Sequence, residues 1–377
     1  MINLLKKFKG KKIIITGHTG FKGSWLTLWL IHLGANVTGI SDKIPTNPSN
    51  FVANKLEKKI NHLIFNIKDK KKLSNVINKI KPDYIFHLAA QSLVKKSYTN
   101  PVETFETNSM GTLNLLEALK KFKLRKKCSV VIITSDKSYK NLEIKRGYKE
   151  NDILGGHDPY SASKACAELI IQCYMNSFMK DNKRLFISVA RAGNVIGGGD
   201  WSKDRLIPDC IRSINKRENL QIRFAKSTRP WQHVLEALYG YMILAIKQKD
   251  NKKIFRNIFN FGPNNKSSLS VIDLVKKFKK NWPNLNWEIV KIKKKVFESG
   301  LLKLNSDKAL KILNWKCILN ANQTILMLVN WYKFYYQKRS NLTMYNYSIS
   351  QIKYYERLVN NKPYNTKTLF KDKDNFF

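Results

Sequence analysis

Cysteine and long apolar runs are both scarce in this chain of 377 residues. Its five cysteines are scattered and form no C-x-x-C pair, so we expect neither a disulfide scaffold nor a metal site, and this usage fits a reducing compartment. No apolar run reaches the roughly 18 residues that cross a bilayer, and the basic first ten residues lack the apolar segment of an export signal. The sequence therefore predicts a cytoplasmic protein that does not bind a membrane.

Acidic residues are also few, since 27 Asp and Glu stand against 69 Lys and Arg and give a formal net charge of +42. Such an excess can indicate a nucleic-acid-binding protein. However, the lysines are spread from end to end, with no basic arm and no nucleic-acid motif. We therefore attribute the charge to a lysine-rich composition, expect no nucleic acid as a partner, and expect the charge to favour anionic ligands.

Short apolar segments alternate with helical patterns through the first half of the chain. The predicted strands are 12–16, 36–40, 62–65, 84–88, 129–133 and 184–190, and the predicted helices are 24–32, 70–80, 102–122 and 160–178. Strands separated by helices pair in parallel, which predicts an α/β fold with a Rossmann-type doubly wound parallel sheet. Functional residues should then lie at the carboxyl ends of the strands.

The pattern becomes irregular after Gly193 and predicts a smaller mixed α/β C-terminal lobe. We assign residues 1–193, with a returning segment near 230–262, to the Rossmann domain. Residues 194–229 and 263–335 are assigned to the smaller, substrate-binding lobe, and residues 336–377 to a peripheral helix and a polar tail.

The first turn of the predicted sheet carries Gly17, Gly20 and Gly23, each three residues apart, between a strand and a helix. Gly17 allows a tight turn, Gly20 lets a pyrophosphate approach the backbone, and Gly23 lets the helix pack on the strand. The helix N-terminus adds free N–H groups and a partial positive charge. The pattern therefore predicts a dinucleotide-binding turn.

A second constellation joins Tyr160 and Lys164 to the end of the fifth strand. Four residues apart on a helix, the phenol and the ammonium share a face, and the ammonium should lower the pKa of Tyr160 so that it can accept a proton. Ser135 could bind the same substrate oxygen. Asp136 and Lys137 follow it and could supply the acid–base pair that elimination of water requires and a simple epimerisation does not. We predict that these residues are catalytic.

These motifs resemble those of a known family. The glycine spacing is similar to that of the extended, sugar-nucleotide-modifying branch of the short-chain dehydrogenase/reductase superfamily. Over nearly its full length the chain resembles the CDP-glucose 4,6-dehydratase family, and the stretches that carry the resemblance are 16–25, 87–91, 134–139, 155–161, 191–201, 204–209 and 229–236. Related dTDP-glucose and GDP-mannose dehydratases carry Asp-Glu where this chain has Asp136 and Lys137.

The resemblance implies a lyase that uses bound NAD to convert CDP-glucose to CDP-4-dehydro-6-deoxy-glucose and water, for deoxysugar synthesis in surface polysaccharide such as O-antigen. Tyr160 would be the base for oxidation at C4, and Lys164 would position the cofactor ribose. Asp136 and Lys137 would assist the loss of water across C5–C6, before the hydride returns to C6. Which of these two groups moves which proton stays a hypothesis.

The resemblance also implies a set of ligand contacts. Asp42, just beyond the second strand, would hold the ribose hydroxyls and favour NAD over NADP, whereas Asn66 replaces an Asp that contacts adenine in this branch. The implied cofactor-binding residues are Gly17, Thr19, Gly20, Phe21, Gly23, Asp42, Asn66, Ile67, Leu88, Ala89, Ala90, Gln91, Asn108, Tyr160 and Lys164. The implied substrate-binding residues are Gln91, Ser135, Asn194, Arg205, Leu206, Arg229 and His233, with the two arginines as candidates for the diphosphate.

Three alternatives stay open at this point. The chain could be a dTDP- or GDP-sugar 4,6-dehydratase, or an NAD-dependent sugar-nucleotide epimerase. From a different class, it could be a basic nucleic-acid-binding protein on a Rossmann fold, which would show a steep salt dependence of binding. In the superfamily, helices such as those at 102–122 and 160–178 pair across a two-fold axis, so the resemblance implies a homodimer, with a tetramer left open.

Overall fold

The protein is built around one sheet of parallel strands. The structure is a computed structural model that describes residues 2–124, 126–251, 253–263, 269–290, 301–337 and 341–361. The strands of the sheet are β1 (Lys12–Thr16), β2 (Asn36–Ser41), β3 (Asn61–Ile64), β4 (Tyr84–His87), β5 (Cys128–Ser135), β6 (Leu185–Ala192) and β11 (Ile258–Phe261). Their spatial order is β11-β6-β5-β4-β1-β2-β3, and every neighbouring pair is parallel. The predicted Rossmann-type fold is confirmed.

Helices cover both faces of this sheet, and others pack on the short strands and helices of the C-terminal part. They are α1 (Ile2–Leu5), α2 (Phe21–His32), α3 (Asn50–Ala53), α4 (Lys70–Ile80), α5 (Val94–Thr99), α6 (Pro101–Phe105), α7 (Gly111–Lys121), α8 (Pro159–Ser177), α9 (Leu206–Lys216), α10 (Val234–Lys247), α11 (Val271–Asn281), α12 (Asp307–Leu313), α13 (Ala321–Gln337) and α14 (Met344–Val359). A π-helical turn, Glu106–Met110, joins α6 to α7, so the helix predicted at 102–122 is nearly continuous.

Two hydrophobic cores lie on opposite faces of the sheet. In β5, Val130 and Ile132 belong to the core that includes α8, whereas Val131 and Ile133 belong to the core that includes α10. This division follows from the strand geometry, because successive side chains point to opposite faces. The catalytic candidates at the end of β5 therefore stand between two packed layers.

The start of α2 differs from the prediction. The sequence favoured a helix from residue 24, but the helix begins at Phe21, with Gly20 as its N-cap. The prediction was wrong because a glycine in a first turn favours a loop locally. Here Gly23 is needed for packing, since a Cβ on it would lie 2.1 Å from the Gly17 carbonyl oxygen.

The C-terminal part of the chain adds short strands and two long helices. Its strands are β7 (Val195–Ile196), β8 (Leu220–Ile222), β9 (Thr228–Arg229), β10 (Gln232–His233), β12 (Leu269–Ser270) and β13 (Trp287–Ile289), which pair as β7–β10, β8–β13 and β9–β12. Helix α14 packs against α13 and α2 through buried side chains that include Ile352 and Tyr355. The polar tail predicted at the C-terminus falls on residues beyond 361, which lie outside the described ranges. Within the described ranges, none of the helices combines the length and apolarity needed to cross a membrane.

Candidate active site

The glycine turn between β1 and α2 has the shape of a phosphate cradle. Gly17 has φ +77°, and a Cβ on it would lie 2.7 Å from the Ala89 backbone nitrogen. Among the described residues, a Cβ on Gly20 would meet only the Gly17 oxygen, at 3.3 Å, so this side of the turn is open. No side chain caps α2, and its first N–H groups can therefore bind an anion. The turn fits the pyrophosphate of a dinucleotide.

The residues expected to bind the adenosine half lie beside this turn. Asp42 directly follows β2 and is exposed. Thr19 is buried, and its hydroxyl donates to the Lys43 carbonyl at 2.7 Å. Ile67 is also buried. The Asn66 side-chain oxygen accepts from the Lys68 N–H at 2.9 Å, so this amide is already used within its own turn.

A histidine pair that the sequence analysis did not single out braces the same turn. His18 Nε2 lies 2.6 Å from His62 Nδ1, and His18 Nδ1 lies 3.0 Å from the Ser41 hydroxyl. Burial, aided by the nearby His62 and opposed by a hydrogen bond with the Ile40 backbone, lowers the pKa of His18 to about 4. Gly39 makes room for the ring, because a Cβ there would lie 2.3 Å from it. The pair is therefore neutral near pH 7 and links the turn to β2 and β3.

The loop at residues 88–91, which follows β4, is fixed by hydrogen bonds between the Asn108 side chain and the Gln91 backbone. Asn108, in the π-helical turn, accepts from the Gln91 N–H at 2.8 Å and donates to its carbonyl at 3.0 Å. It also donates to the Ser163 hydroxyl on α8 at 2.8 Å. The Gln91 side chain donates to the Leu93 carbonyl at 3.0 Å. Both predicted contact residues thus hold the loop in place.

The end of β5 brings the predicted catalytic residues together. Ser135 donates to Asp136 Oδ1 at 2.9 Å and accepts from the Lys137 N–H at 3.2 Å. Tyr160 stands near the start of α8, which packs against the turn 136–138, and the Ser135 hydroxyl acts to lower the pKa of its phenol. Burial raises the pKa of Asp136, although the charge of Lys137 and the hydrogen bond from Ser135 oppose it. A raised pKa favours the protonated carboxyl, which is the form that acts as a general acid.

The expected effect of Lys164 on Tyr160 is not seen. Burial raises the pKa of Tyr160 to about 12, while the hydrogen bond with Ser135 and the charge of Arg205 oppose the rise. Burial, followed by the charge of Lys22, lowers the pKa of Lys164 to about 7. The prediction that Lys164 lowers the pKa of Tyr160 was therefore wrong for the protein alone, because burial outweighs the attraction and also suppresses the charge of the lysine.

Lys22 is a site residue that the sequence analysis missed. It is the second residue of α2, and its charge acts on Lys164. Burial, followed by the charge of Arg205, lowers the pKa of Lys22 to about 8, whereas Asp136 raises it. Its place between Gly20 and Gly23 was a usable signal. In a chain with 69 basic residues, however, one more lysine did not stand out.

A buried ion pair holds the catalytic strand end against α8. Arg191 Nε donates to both carboxylate oxygens of Glu168, at 2.8 and 2.9 Å, and Nη2 donates to Oε2. Glu168 Oε1 also accepts from the Thr134 hydroxyl at 2.7 Å and the Ser138 hydroxyl at 2.9 Å. Because Glu168 is one turn beyond Lys164, this network fixes the segment 135–137 relative to the tyrosine and lysine of α8.

Arg205, a predicted substrate residue, connects two separate segments of the chain. Its Nη1 donates to Asp200 Oδ2 at 2.9 Å, and its Nη2 donates to the Ser92 hydroxyl at 3.2 Å, in the loop after β4. Asp200 is itself held by the Tyr332 hydroxyl, which donates to its carbonyl. Arg205 immediately precedes Leu206, the first residue of α9. The guanidinium therefore lies close enough for its charge to act on Tyr160 and Lys22.

The remaining predicted substrate residues have different surroundings. The charge of Arg229 acts on Asp136. The Asn194 carbonyl accepts from the Gln232 N–H at 3.0 Å, and the residue is half-buried. His233 is fully buried, and its Nδ1 accepts from the Leu235 N–H at 3.3 Å, which caps α10. Burial lowers the pKa of His233 to about 3, so its imidazole is neutral near pH 7.

Residues 14–328 match the family model described as GDP-mannose 4,6 dehydratase. The chain belongs to this family. It is 43% identical over 331 residues to the CDP-glucose 4,6-dehydratase of Salmonella typhimurium, covering 86% of this chain and 91% of that protein. It is 30% identical to the dTDP-D-glucose 4,6-dehydratase of Dictyostelium discoideum, covering 71% of this chain and 61% of that protein.

Solved structures share the fold of this chain. An epimerase from Methanothermobacter thermautotrophicus superposes with a TM-score of 0.76 at 23% identity, covering 89% of this chain and 96% of that one. The dTDP-glucose 4,6-dehydratase of Bacillus anthracis, solved in complex with NAD, has a TM-score of 0.73 at 20% identity, covering 87% and 98% of the two chains. A dehydratase and an epimerase thus share this fold, and the fold alone does not tell the two activities apart.

Proposed function

We propose that this family member is a CDP-glucose 4,6-dehydratase, a hydro-lyase. The observation that carries the proposal is the meeting of Tyr160, Ser135, Asp136 and Lys137 at the end of one strand, with the Asp136 carboxyl only 3% exposed. An epimerase needs a base for the sugar hydroxyl but no buried acid for a leaving hydroxyl. The 43% identity to the Salmonella enzyme supports CDP-glucose as the substrate.

NAD is the proposed resident cofactor, and the glycine turn fits its pyrophosphate. When bound, NAD accepts a hydride from C4 of the sugar and later returns one to C6. The open side of Gly20 and the uncapped start of α2 would receive the phosphates. Asp42 and Thr19 would hold the adenosine side, and Lys164 would hold the second ribose.

In the proposed reaction, Tyr160 removes the proton of the C4 hydroxyl while Ser135 holds the same oxygen. Because burial raises the pKa of Tyr160 to about 12, the phenolate needs positive charge nearby, and Arg205 is one source of it. The ketone formed at C4 makes the C5 proton acidic. Lys137, as the neutral amine, would take that proton, and Asp136 would give its own proton to the C6 oxygen, which leaves as water. When the hydride returns to C6, the ammonium of Lys137 would return the proton to C5.

The substrate diphosphate is proposed to bind Arg205 and Arg229. Both arginines have charges that act on catalytic residues, Arg205 on Tyr160 and Arg229 on Asp136. A guanidinium matches a phosphate through two parallel hydrogen bonds. Asn194, Leu206 and Gln91 are proposed as further contacts with the sugar nucleotide, and His233 as a residue behind the site.

The experiment incubates the purified protein with NAD and, separately, CDP-, dTDP-, UDP- and GDP-glucose. Mass spectrometry should detect the loss of one water from CDP-glucose, and alkaline absorbance should detect a 4-keto sugar. Tyr160→Phe should reduce the rate by about a hundredfold to ten-thousandfold, as expected for loss of a general base. Loss of water from another nucleotide sugar alone would overturn the substrate, and interconversion at C4 without water loss would indicate an epimerase.

The proposal extends to the assembly and its setting. Apolar side chains stand exposed on α6 and α8 and in the turns that follow them, namely Val102, Met110, Leu169 and Phe178. A second copy of the chain would cover them, which supports a homodimer. Sedimentation should give a dimer that Leu169→Glu dissociates, and a monomeric wild type would contradict this.

We also propose a cytoplasmic location and a role in making deoxysugars for surface polysaccharide. All five cysteines are free, which is in keeping with a reducing compartment. The division into a Rossmann domain and a smaller lobe, at the boundaries given above, is part of the same proposal. Limited proteolysis that cuts near residue 194 before it cuts inside the sheet would support the division.

A further inference from the structure

A buried tyrosine hydroxyl near the active site lacks a partner. Tyr241, on α10, is fully buried, and its Oη has no hydrogen-bond partner among the described residues. Its ring packs edge-on against Phe261 at the end of β11, with centroids 5.7 Å apart. A buried polar group without a partner destabilises a fold, and phenylalanine would fill the same space without this cost. This cost alone assigns no role, because the buried Tyr239 hydroxyl on the same helix shares it; the position of Tyr241 is what indicates one.

The strand alternation places this hydroxyl on the same side of the sheet as Ser135. Val131 and Ile133 share the core of Tyr241, whereas Thr134 turns to Glu168 on α8. Ser135 continues the series that faces α10. Phe261, on which the Tyr241 ring packs, is paired with Ala192 of β6. The next residue, Gly193, lies beside the acid, since a Cβ on it would be 3.1 Å from Asp136 Oδ2. Tyr241 therefore packs beneath the strand ends that carry Asp136, in keeping with the pKa of its hydroxyl, which burial, followed by the charges of Asp136 and Tyr160, raises.

We propose that Tyr241 is a positioning residue that donates a hydrogen bond, through one water, to the Asp136 carboxylate. Ser135 already donates to Asp136 Oδ1, so a second donor from beneath the sheet would act on the other side of the group. Its effect is greatest once Asp136 has given its proton to the departing C6 oxygen, because hydrogen bonds to a charged group are the stronger ones. This role rests on the proposed function.

The test compares Tyr241→Phe with Tyr239→Phe. Tyr239 is the matched control, since it lies on the same helix, is buried, and also has a hydroxyl without a partner in the described part of the chain. It packs on Trp29 and Tyr355, away from the catalytic group. Tyr241→Phe should lower kcat by about tenfold to a hundredfold, as for a lost hydrogen bond to a charged group, with KM unchanged. Tyr239→Phe should leave both constants as in the wild type.

A pH measurement separates this role from a packing role. A hydrogen bond donated to the carboxylate lowers the pKa of Asp136, so its removal should raise that pKa. The basic limb of the kcat profile should therefore move to higher pH in Tyr241→Phe only. Carbon-13 NMR of the labelled carboxyl, assigned with Asp136→Asn, reads the same pKa without turnover. It can be measured even if the wild type is inactive, so failure of the proposed function and failure of this inference are distinguishable.

Two results would overturn the inference. The first is an Asp136 pKa in Tyr241→Phe equal to that in Tyr239→Phe. The second is a loss of kcat from Tyr241→Phe that is just as large in the Asp136→Asn background, because a residue that acts through Asp136 cannot act when the acid is gone. If Tyr241→Phe lowers Tm and Tyr239→Phe does not, the comparison in the Asp136→Asn background still tests the inference, because kcat is measured per folded molecule.

Discussion

The buried pair of Glu168 and Arg191 allows a quantitative test of what holds the active site together. Their side chains are 0% and 1% exposed, and the carboxylate also accepts from Thr134 and Ser138. Glu168→Gln keeps one carbonyl oxygen as an acceptor but leaves the Arg191 charge without a counter-charge. Removing one partner of a buried ion pair costs about 3–5 kcal/mol. We expect a loss of that size in the free energy of unfolding.

The assay is urea unfolding followed by tryptophan fluorescence, with the free energy extrapolated to water. Asp250→Asn is the control. It breaks the Lys7–Asp250 pair, whose side chains are 52% and 62% exposed, and exposed pairs contribute about 0–1 kcal/mol. A double variant, Glu168→Leu with Arg191→Met, should recover most of the loss, because it removes both charges and fills the space with apolar atoms.

The reasoning is refuted if Glu168→Gln costs no more than Asp250→Asn. It is also refuted if the double variant is less stable than Glu168→Gln, because the hydrogen bonds to Thr134 and Ser138 would then matter more than the charge. In either case, the position of the catalytic strand end would have to depend on packing rather than on this carboxylate.

Three further predictions follow from close packing and from shifted pKa values. Gly23→Ala should weaken NAD binding and lower Tm, because its Cβ would lie 2.1 Å from the Gly17 oxygen; an unchanged Kd in a titration would contradict this. Lys22→Met should raise the pKa of Lys164 above about 7, since the charge of Lys22 lowers it; carbon-13 NMR of the lysine side chains reads the shift, and an unmoved titration would contradict it. Burial raises the pKa of Glu236 from 4.5 to about 7, so the folded state holds a proton that the unfolded state releases, and the wild type should lose stability between about pH 5 and pH 7. Glu236→Gln should abolish this loss. Urea unfolding at the two pH values measures it, and an equal loss of stability in both proteins would contradict the prediction.

The sequence predicted the sheet well because its strands are short apolar runs ending at glycines or polar residues. In Lys12–Thr16, four of five residues are buried, and the predicted bounds match those observed. Such strands depend mainly on local composition. The start of α2 could not be predicted in the same way, because the reason for Gly23 is the Gly17 oxygen it packs on, and that contact exists only in the folded turn.

A candidate site residue was predictable where it occupies a strand end or a motif position, as Ser135 and Tyr160 do. It was not predictable where the role depends on a distant element. Lys22 lies within the glycine turn, yet its importance comes from burial beside Lys164 and Arg205. Tyr241 is one apolar position among many in α10, and only the fold places its hydroxyl near Asp136.

Burial drives the central groups of this site toward their uncharged forms. It lowers the pKa of Lys164 to about 7 and of Lys22 to about 8, raises that of Tyr160 to about 12, and raises that of Asp136. A neutral tyrosine is a poor base, whereas a protonated Asp136 is ready to act as an acid. An anionic diphosphate bound nearby would favour the charged forms of both lysines. Under the proposed mechanism, the acid would then be prepared by the fold, whereas the base would depend on the positive charge of Arg205, which lowers the pKa of Tyr160.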